Sequence, residues 1–316
     1  MSALPRYAYL GPEGTFTEMA LRLMVSQSEA EYVPVVDVPT ALGAVRAGDA
    51  DYAVVAIENT VEGGVTATLD TLAQGSPLVI LGEVVLPVEF ELVAPAGVAL
   101  ADIARVSAHP HGWNQVRRWA NENLPGVLFV PAQSNSAAAL AIASGSDVEG
   151  IPAEAALAPP GLGTRLGLSV LAEHIADIEH AATRFVRVGR PEAVPAPTGH
   201  DKTTLSVHLP TDRAGALLEM LEQFAVRGVN LSRIESRPRS DRPGEYSFSI
   251  DAMGHIAERR VAEALIGLKR TCPLVVFLGS YPAADPTPTP VAPGNVDAAF
   301  VDAEAWVAKL VDGASD

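Results

Sequence analysis

A single cysteine, Cys272, serves a chain of 316 residues, so no disulfide can close within it. Runs of Lys or Arg are absent, and 22 basic residues against 38 acidic ones leave a net charge of −16. That balance excludes the basic footprint of a nucleic-acid binder and an electrostatic hold on anionic membranes. Nor is there an apolar stretch of the ~20 residues that a membrane-spanning helix needs. The opening MSALPRYAYLGPEG has no charged segment running into an apolar one, so no signal peptide is read and a cytoplasmic location is expected. Also missing are a nucleophile elbow with His and Asp in order, a zinc-ligand spacing, a P-loop and a dinucleotide fingerprint. No cofactor and no metal is therefore expected. An acidic chain that binds an anion must then make local positive potential from a few Arg residues and from helix N-termini.

What is present suits a globular protein with a sizeable core: 48% hydrophobic and 19% charged residues, over a length that implies two or more domains. Residues 1 to about 190 alternate short apolar strands with helical patterns: YAYL before GPEGTFTEMALRLM, EYVPVV before a helix near Pro39–Gly48, then DYAVVAIE. RVSA, a helix over HGWNQVRRWANENL, VLFV, a helix over SAAALAIAS and a strand at GIPA follow. This rhythm predicts a largely parallel α/β sheet. GEVVLPVEFELVAP near residue 82 and HIADIEHAATRF near 175–185 interrupt it, which predicts two lobes, the second inserted in the first, with a ligand cleft between them. PEAVPAPTGHD, residues 191–201, reads as a Pro-rich linker. After it the order is βαββαβ, a ferredoxin-like unit. Leu205, Val207 and Leu209 share one strand face, Leu217, Met220, Leu221 and Phe224 recur at helical spacing, and EYSFSIDAM puts Tyr246, Phe248 and Ile250 on one side. Cys272 falls in phase with Val261, Leu265 and Leu268, as a buried structural thiol would.

Four strand-to-helix or helix-to-strand turns carry hydroxyls. In GPEGTFTE, Thr15 and Glu18 have capping-box spacing, which accounts for the hydroxyl but not for the loop Gly11-Pro12-Glu13-Gly14. Gly14 is read as the place where backbone approaches a ligand. AIENTVEGG delivers Glu58, Asn59 and Thr60 ahead of Gly63 and Gly64. Glu58 reads either as an acid–base or, preferentially, as a support for Asn59 and a nearby Arg. PAQSNSAAA places Ser134, Asn135 and Ser136 at a helix start, where capping again competes with ligand binding. Last come Thr183-Arg184-Phe185 at the mouth of a strand. His109 and His111 bracket Pro110 without a metal-ligand pattern and read as solvated or structural.

In this order, GPEGTFTE, AIENTVEGG, AHP, TRF, GALLEML and ESRP resemble the prephenate dehydratase family over roughly residues 6–282. The resemblance implies a catalytic domain at 1–190, two-lobed like a periplasmic binding protein, with its second lobe at about 82–178. A linker at 191–201, an ACT regulatory domain at 202–282 and a tail of no assigned role at 283–316 complete the expectation. It implies decarboxylating dehydration of prephenate to phenylpyruvate, with Thr183 as a positioned donor or relay, Arg184 as a carboxylate clamp and Phe185 as a wall for the ring. Thr15, Glu58, Asn59, Gly63 and Ser136 are the further substrate-binding candidates. Phenylalanine is the implied effector, held by Gly215, Ala216, Leu217 and Leu218 with Asn230, Leu231, Glu235, Ser236, Arg237 and Pro238, in a homodimer or homotetramer. Without the resemblance, Glu235 and Arg237 read as a surface ion pair. The chain departs from the family pattern at His111, where Gln is frequent, at Ala181-Ala182, where an Asn is common, and at Thr60, where Ser is frequent. Two other readings share these residues: arogenate dehydratase, and a non-enzymatic amino-acid sensor.

Overall fold

The computed structural model of the protein describes residues 3–209, 213–238 and 246–313. The chain groups into two compact units. One takes the chain up to Thr68 and again Val84–Phe185; the other takes Leu69–Glu83 and the chain from Val186 on.

The chain starts with β1 (Arg6–Leu10), α1 (Phe16–Met24), β2 (Glu31–Val35), α2 (Val38–Ala47), β3 (Tyr52–Asn59), the two-residue β4 (Gly63–Gly64), α3 (Thr66–Leu72) and β5 (Val79–Pro87). The chain then enters β6 (Glu91–Ala94), β7 (Arg105–Ala108), α4 (Pro110–Asn114), α5 (Arg117–Asn123), β8 (Leu128–Pro131), α6 (Asn135–Ser144), β9 (Ala155–Ala158), α7 (Leu162–Arg165) and β10 (Ser169–Ala172). It returns through β11 (Ala182–Gly189). Two sheets result, ordered β2-β1-β3-β11-β5, with β4 beside β3, and β10-β6-β9-β7-β8. β1 runs parallel to β2 and β3, and β7 parallel to β8 and β9, whereas β6 is antiparallel to β9 and β10. Each sheet is the floor of one lobe. Tyr7, Tyr9, Leu21, Val54 and Phe185 pack the first lobe, and Phe90, Leu92, Val106, Val116 and Leu157 are central to the second.

Sequence patterning misplaced two pieces here. The strand expected at GIPA lies at Ala155–Ala158 instead, a fully buried run. Pro152 cannot donate to a ladder, and the GIPA segment makes only an isolated bridge between Val148 and Ile151. The helix expected over residues 111–124 breaks into α4 and α5, with Gln115 closing the first and Val116 opening the second. β4 and α3 carry too few residues for a periodic signal.

The second unit contains β12 (Asp201–His208), α8 (Ala216–Ala225), β13 (Leu231–Pro238), β14 (Tyr246–Met253), α9 (Arg259–Thr271), β15 (Leu274–Pro282) and α10 (Asp297–Val311). The expected start of β14 at Glu245 lies outside the described residues. The sheet is antiparallel in the order β13-β14-β12-β15, the ferredoxin-like arrangement. Alternation splits β12 cleanly. Leu205 and Val207 join Met220, Phe224, Phe248, Ile250, Val261, Leu268 and Cys272 under the helices. Thr204 faces the other way, where its hydroxyl bonds Asp251 at 2.8 Å and Tyr281 at 2.7 Å. Arg233 grips the same Asp251 with Nε at 2.9 Å and Nη2 at 3.1 Å. Burial pushes the Cys272 thiol above its ordinary pKa, as a structural cysteine requires.

Candidate active site

A cavity of about 750 Å³ opens between the two lobes of the first unit. The turn before α1 and the first residues of that helix line it from one lobe, together with Asn59 and Thr183. From the other lobe come His109, His111, Gly112, Gln115 and the segment Gln133–Ala137 that opens α6. Thr15 and Ser134, the N-caps of α1 and α6, both line it, so two helix N-termini of nine- and ten-residue helices face the same space. Their free N–H groups and positive dipole ends suit a ligand with negative charge. Among the described residues, no lining side chain is Lys or Arg.

Thr183, at the start of β11, is buried with 9% of its surface exposed. Asn59 Nδ2 donates to Thr183 Oγ1 at 2.8 Å. The orientation of that amide is fixed from its other end: Asn59 Oδ1 accepts from the N–H of Val61 at 2.8 Å and of Glu62 at 3.2 Å. An oxygen taking two donors cannot exchange places with an NH₂ group, so Nδ2 must face Thr183. The Thr183 oxygen is therefore an acceptor toward Asn59, and its own hydrogen is left for the cavity. Thr60 locks the same corner, donating its N–H to Ala182 O at 2.9 Å and accepting from Ala182 N at 2.9 Å.

Ser136 and Gln115 present the opposite wall. Ser136 Oγ and Gln115 Oε1 are buried and have no hydrogen-bond partner among the described residues. Each such group costs on the order of 1–3 kcal/mol in a dry site, so a cavity edged by two of them favours a polar occupant. Thr15 offers less, because its hydroxyl donates to Leu10 O at 2.9 Å and accepts from Glu18 N at 3.3 Å. His109 is half-shielded among these groups. Burial and, next, the neighbouring His111 pull its imidazole below the ordinary pKa, against an upward pull from Glu62.

Other candidates sit beside the cavity and not on it. Glu58 pairs with Arg184, Oε2 to Nε at 3.1 Å, and Arg184 keeps only 5% of its surface exposed. Neither is a lining residue, nor is Gly63, which pairs with Asn59 across the β3–β4 turn. Phe185 lies in the core of the first lobe with Tyr7 and Tyr9. The aromatic surface of the cavity comes from Phe16 and Phe90, set edge to face with centroids 5.7 Å apart. Gly14 does not admit a ligand. A Cβ there would stand 2.6 Å from Leu162 Cδ1 and 3.0 Å from Arg165 Nη2, so the glycine, at φ 84°, lets α7 approach. Phe16, Phe90, Gln115, Gln133 and Glu62 escaped the sequence reading. Gln115, an amide within a helical pattern near AHP, and Gln133, an amide beside Ser134, carried the signal that was there.

In the second unit, Gly215 caps α8 at φ 88°, ahead of the buried Ala216. Leu217 and Leu218 are exposed, 40% and 60%, so Leu217 does not join the apolar face that its spacing predicted. The N–H of Met253 donates to the Asn230 carbonyl at 2.8 Å, and Leu231 packs at the margin of the core. On β13, Ser236 and Pro238 are exposed, and Glu235 stands 3.9 Å from both Arg233 and Arg237. Arg237 is more than a surface partner of Glu235: its guanidinium forks onto Asp70 of α3 at 3.1 and 3.3 Å.

A family model described as prephenate dehydratase matches residues 7–193. A prephenate dehydratase of Amycolatopsis methanolica is 43% identical over 311 residues, covering 98% of this chain and 99% of its own. One from Mycobacterium leprae (strain Br4923) is 44% identical over 322 residues, covering 99% and 97%. Among solved structures, the prephenate dehydratase of Arthrobacter aurescens in complex with L-Phe superposes with a TM-score of 0.90 at 51% identity, covering 97% of this chain and 99% of its own.

Proposed function

The chain belongs to the prephenate dehydratase family, and from that premise we propose how its own residues carry the reaction. The enzyme is a decarboxylating hydro-lyase that converts prephenate to phenylpyruvate, the precursor of phenylalanine. The substrate dianion loses its ring carboxylate as CO₂. The electron pair of that C–C bond enters the ring, the opposite C–O bond breaks, and hydroxide departs as water with one proton taken up. Aromatisation drives the step, so the protein has to hold the ring and place a proton at the leaving oxygen.

Thr183 is the residue for that placement, and the Asn59–Thr183 bond is the observation that carries the reading. With its oxygen engaged by Asn59, the Thr183 hydroxyl has one hydrogen to give and one direction to give it. A threonine hydroxyl is too weak an acid to surrender the proton unaided, so it acts as a positioned donor that relays a proton from solvent. Ser136 and the N-termini of α1 and α6 meet the two carboxylates, while Phe16 and Phe90 flank the ring. Arg184 supports from behind: through Glu58 it ties β11 to β3, the strands that deliver Thr183 and Asn59. Incubating the purified protein with prephenate and following phenylpyruvate tests the activity, and arogenate in competition tests the substrate. No phenylpyruvate, or a clear preference for arogenate, would displace this reading. For Ser136→Ala we expect kcat/KM to fall by about 10- to 100-fold, the worth of one hydrogen bond to a charged group. A change within a factor of two in steady-state kinetics would take Ser136 off the substrate.

The second unit is read as an ACT domain that binds L-phenylalanine. Its ferredoxin-like sheet and the L-Phe in the Arthrobacter relative support this. The effector would lie against Gly215–Leu218, Asn230-Leu231 and Glu235–Pro238. β13 is an edge strand of its sheet, which suits pairing with a second copy in a homodimer or homotetramer. A cytoplasmic location belongs to the same reading, and a sedimentation measurement checks the assembly. A Cβ at Gly215 has open space, its nearest neighbour being Arg213 Nη1 at 3.9 Å, so the constraint there is the backbone at φ 88°. A valine must leave that conformation and swing the first N–H groups of α8 away. Gly215→Val is expected to weaken phenylalanine binding and inhibition by roughly 5- to 150-fold while basal turnover persists. Calorimetric binding and inhibition equal to wild type would move the effector site elsewhere.

A further inference from the structure

The cavity mouth carries a bridge between the lobes that the proposed chemistry does not use. His111 Nδ1, on α4 of the second lobe, meets Glu62 Oε1, on the β3–β4 turn of the first. Both side chains are exposed, 61% and 39%. An exposed pair of this kind contributes little to stability. Its importance lies in what each end is fastened to. Glu62 gives its own N–H to Asn59 Oδ1, the atom that orients Asn59 toward Thr183. Thr60, two residues before Glu62, is double-bonded by hydrogen bonds to Ala182, next to Thr183. The turn thus cannot shift at Glu62 without moving Asn59. At the other end, the His111 ring stacks on His109 with centroids 5.0 Å apart and planes at 25°. His109 N–H donates to Asn135 Oδ1 at 2.8 Å, and Asn135 packs so close to Gly112 that a Cβ there would fall 2.6 Å from its Nδ2.

We infer that Glu62 and His111 are positioning residues for the dehydration: by pinning the β3–β4 turn across the cleft, they hold Asn59, and through it the Thr183 hydroxyl, on the leaving oxygen. Neither touches the reacting atoms. The inference rests on the reading of Thr183 as the donor.

The test is a kinetic cycle on Glu62→Ala, His111→Ala and the double variant, in wild-type and Thr183→Val backgrounds, with His111→Gln as the conservative control. Each alanine variant is expected to lose about 5- to 20-fold in kcat with KM within a factor of two, less than the 10²-fold that a full ångström of misplacement costs. The double variant should be no slower than the worse single one, His111→Gln should keep at least half of the wild-type kcat, and melting temperatures should stay together. In the Thr183→Val background, loss of the bridge should change nothing further. Unchanged kcat in both single variants, a loss confined to KM, losses that multiply in the double variant, or a further loss without Thr183 would each overturn the inference. If wild type turns over prephenate while these results go the wrong way, the bridge fails alone. If wild type forms no phenylpyruvate, both proposals fall.

Discussion

Replacing Thr183 with valine should lower kcat by about 10²–10³-fold, the loss seen when one donor to a developing oxyanion is removed. The substitution is close to isosteric, and the site is 9% exposed, so a valine methyl occupies the space of the hydroxyl. Asn59 Nδ2 then loses its acceptor, at a cost of about 1–3 kcal/mol if it stays dry. A modest fall in melting temperature is thus expected, but not unfolding, because Thr60 still joins β3 to β11 through two bonds to Ala182. KM should move little, since the hydroxyl serves the departing oxygen and not a carboxylate. Thr183→Ser keeps both the acceptor and the donor and should recover most of the rate. Stopped reactions quantified for phenylpyruvate give the comparison directly. A valine enzyme with more than half the wild-type kcat would remove Thr183 from the chemistry.

The second large effect is expected in the second unit, at Asp251. Its carboxylate is 1% exposed and takes two bonds from Arg233, itself 6% exposed in its side chain. Asp251→Ala leaves a buried guanidinium with only Glu235, 3.9 Å away, as an acidic neighbour, and breaking a buried pair typically costs about 3–5 kcal/mol. Ser249, 2.9 Å from Arg233 Nη2, offsets only part of it. Calorimetry should show the transition of the second unit moving down sharply. Arg233→Met combined with Asp251→Leu should recover much of the loss, because two apolar side chains leave no charge to desolvate. A drop of less than about 1 kcal/mol in the single variant, the size expected of a surface pair, would mean that water reaches the site.

What could be read from the sequence divides along physical lines. β12 and β14 alternate apolar and polar residues because one face meets helices, and period two survives any change of detail. Lobe strands such as β9 are buried on both faces, so AALA carries no alternation and the Pro152 segment drew the strand to itself. Thr183, Asn59 and Ser136 were legible because a hydroxyl or amide at a strand end or helix start is unusual enough to ask about. Arg184 and Phe185 were legible as neighbours of Thr183 but not as what they are, an ion pair to Glu58 and a core ring. Adjacency along a strand says nothing of which way each side chain turns. Phe16, Phe90 and Glu62 became part of the site only through the approach of two lobes, a relation between residues far apart in sequence that no local pattern records.

A cavity with no Lys or Arg on its walls among the described residues has a consequence for turnover. Dipoles and neutral donors hold an anion over short distances, so substrate affinity should resist added salt far better than a clamp of exposed charges would. They also hold it in proportion to the number of carboxylates present. The reaction discards one of the two as CO₂, and the phenylpyruvate left behind keeps half the charge and the contacts of one carboxylate. The chemistry itself thereby loosens the product, and the enzyme can empty its cleft without first breaking a guanidinium pair.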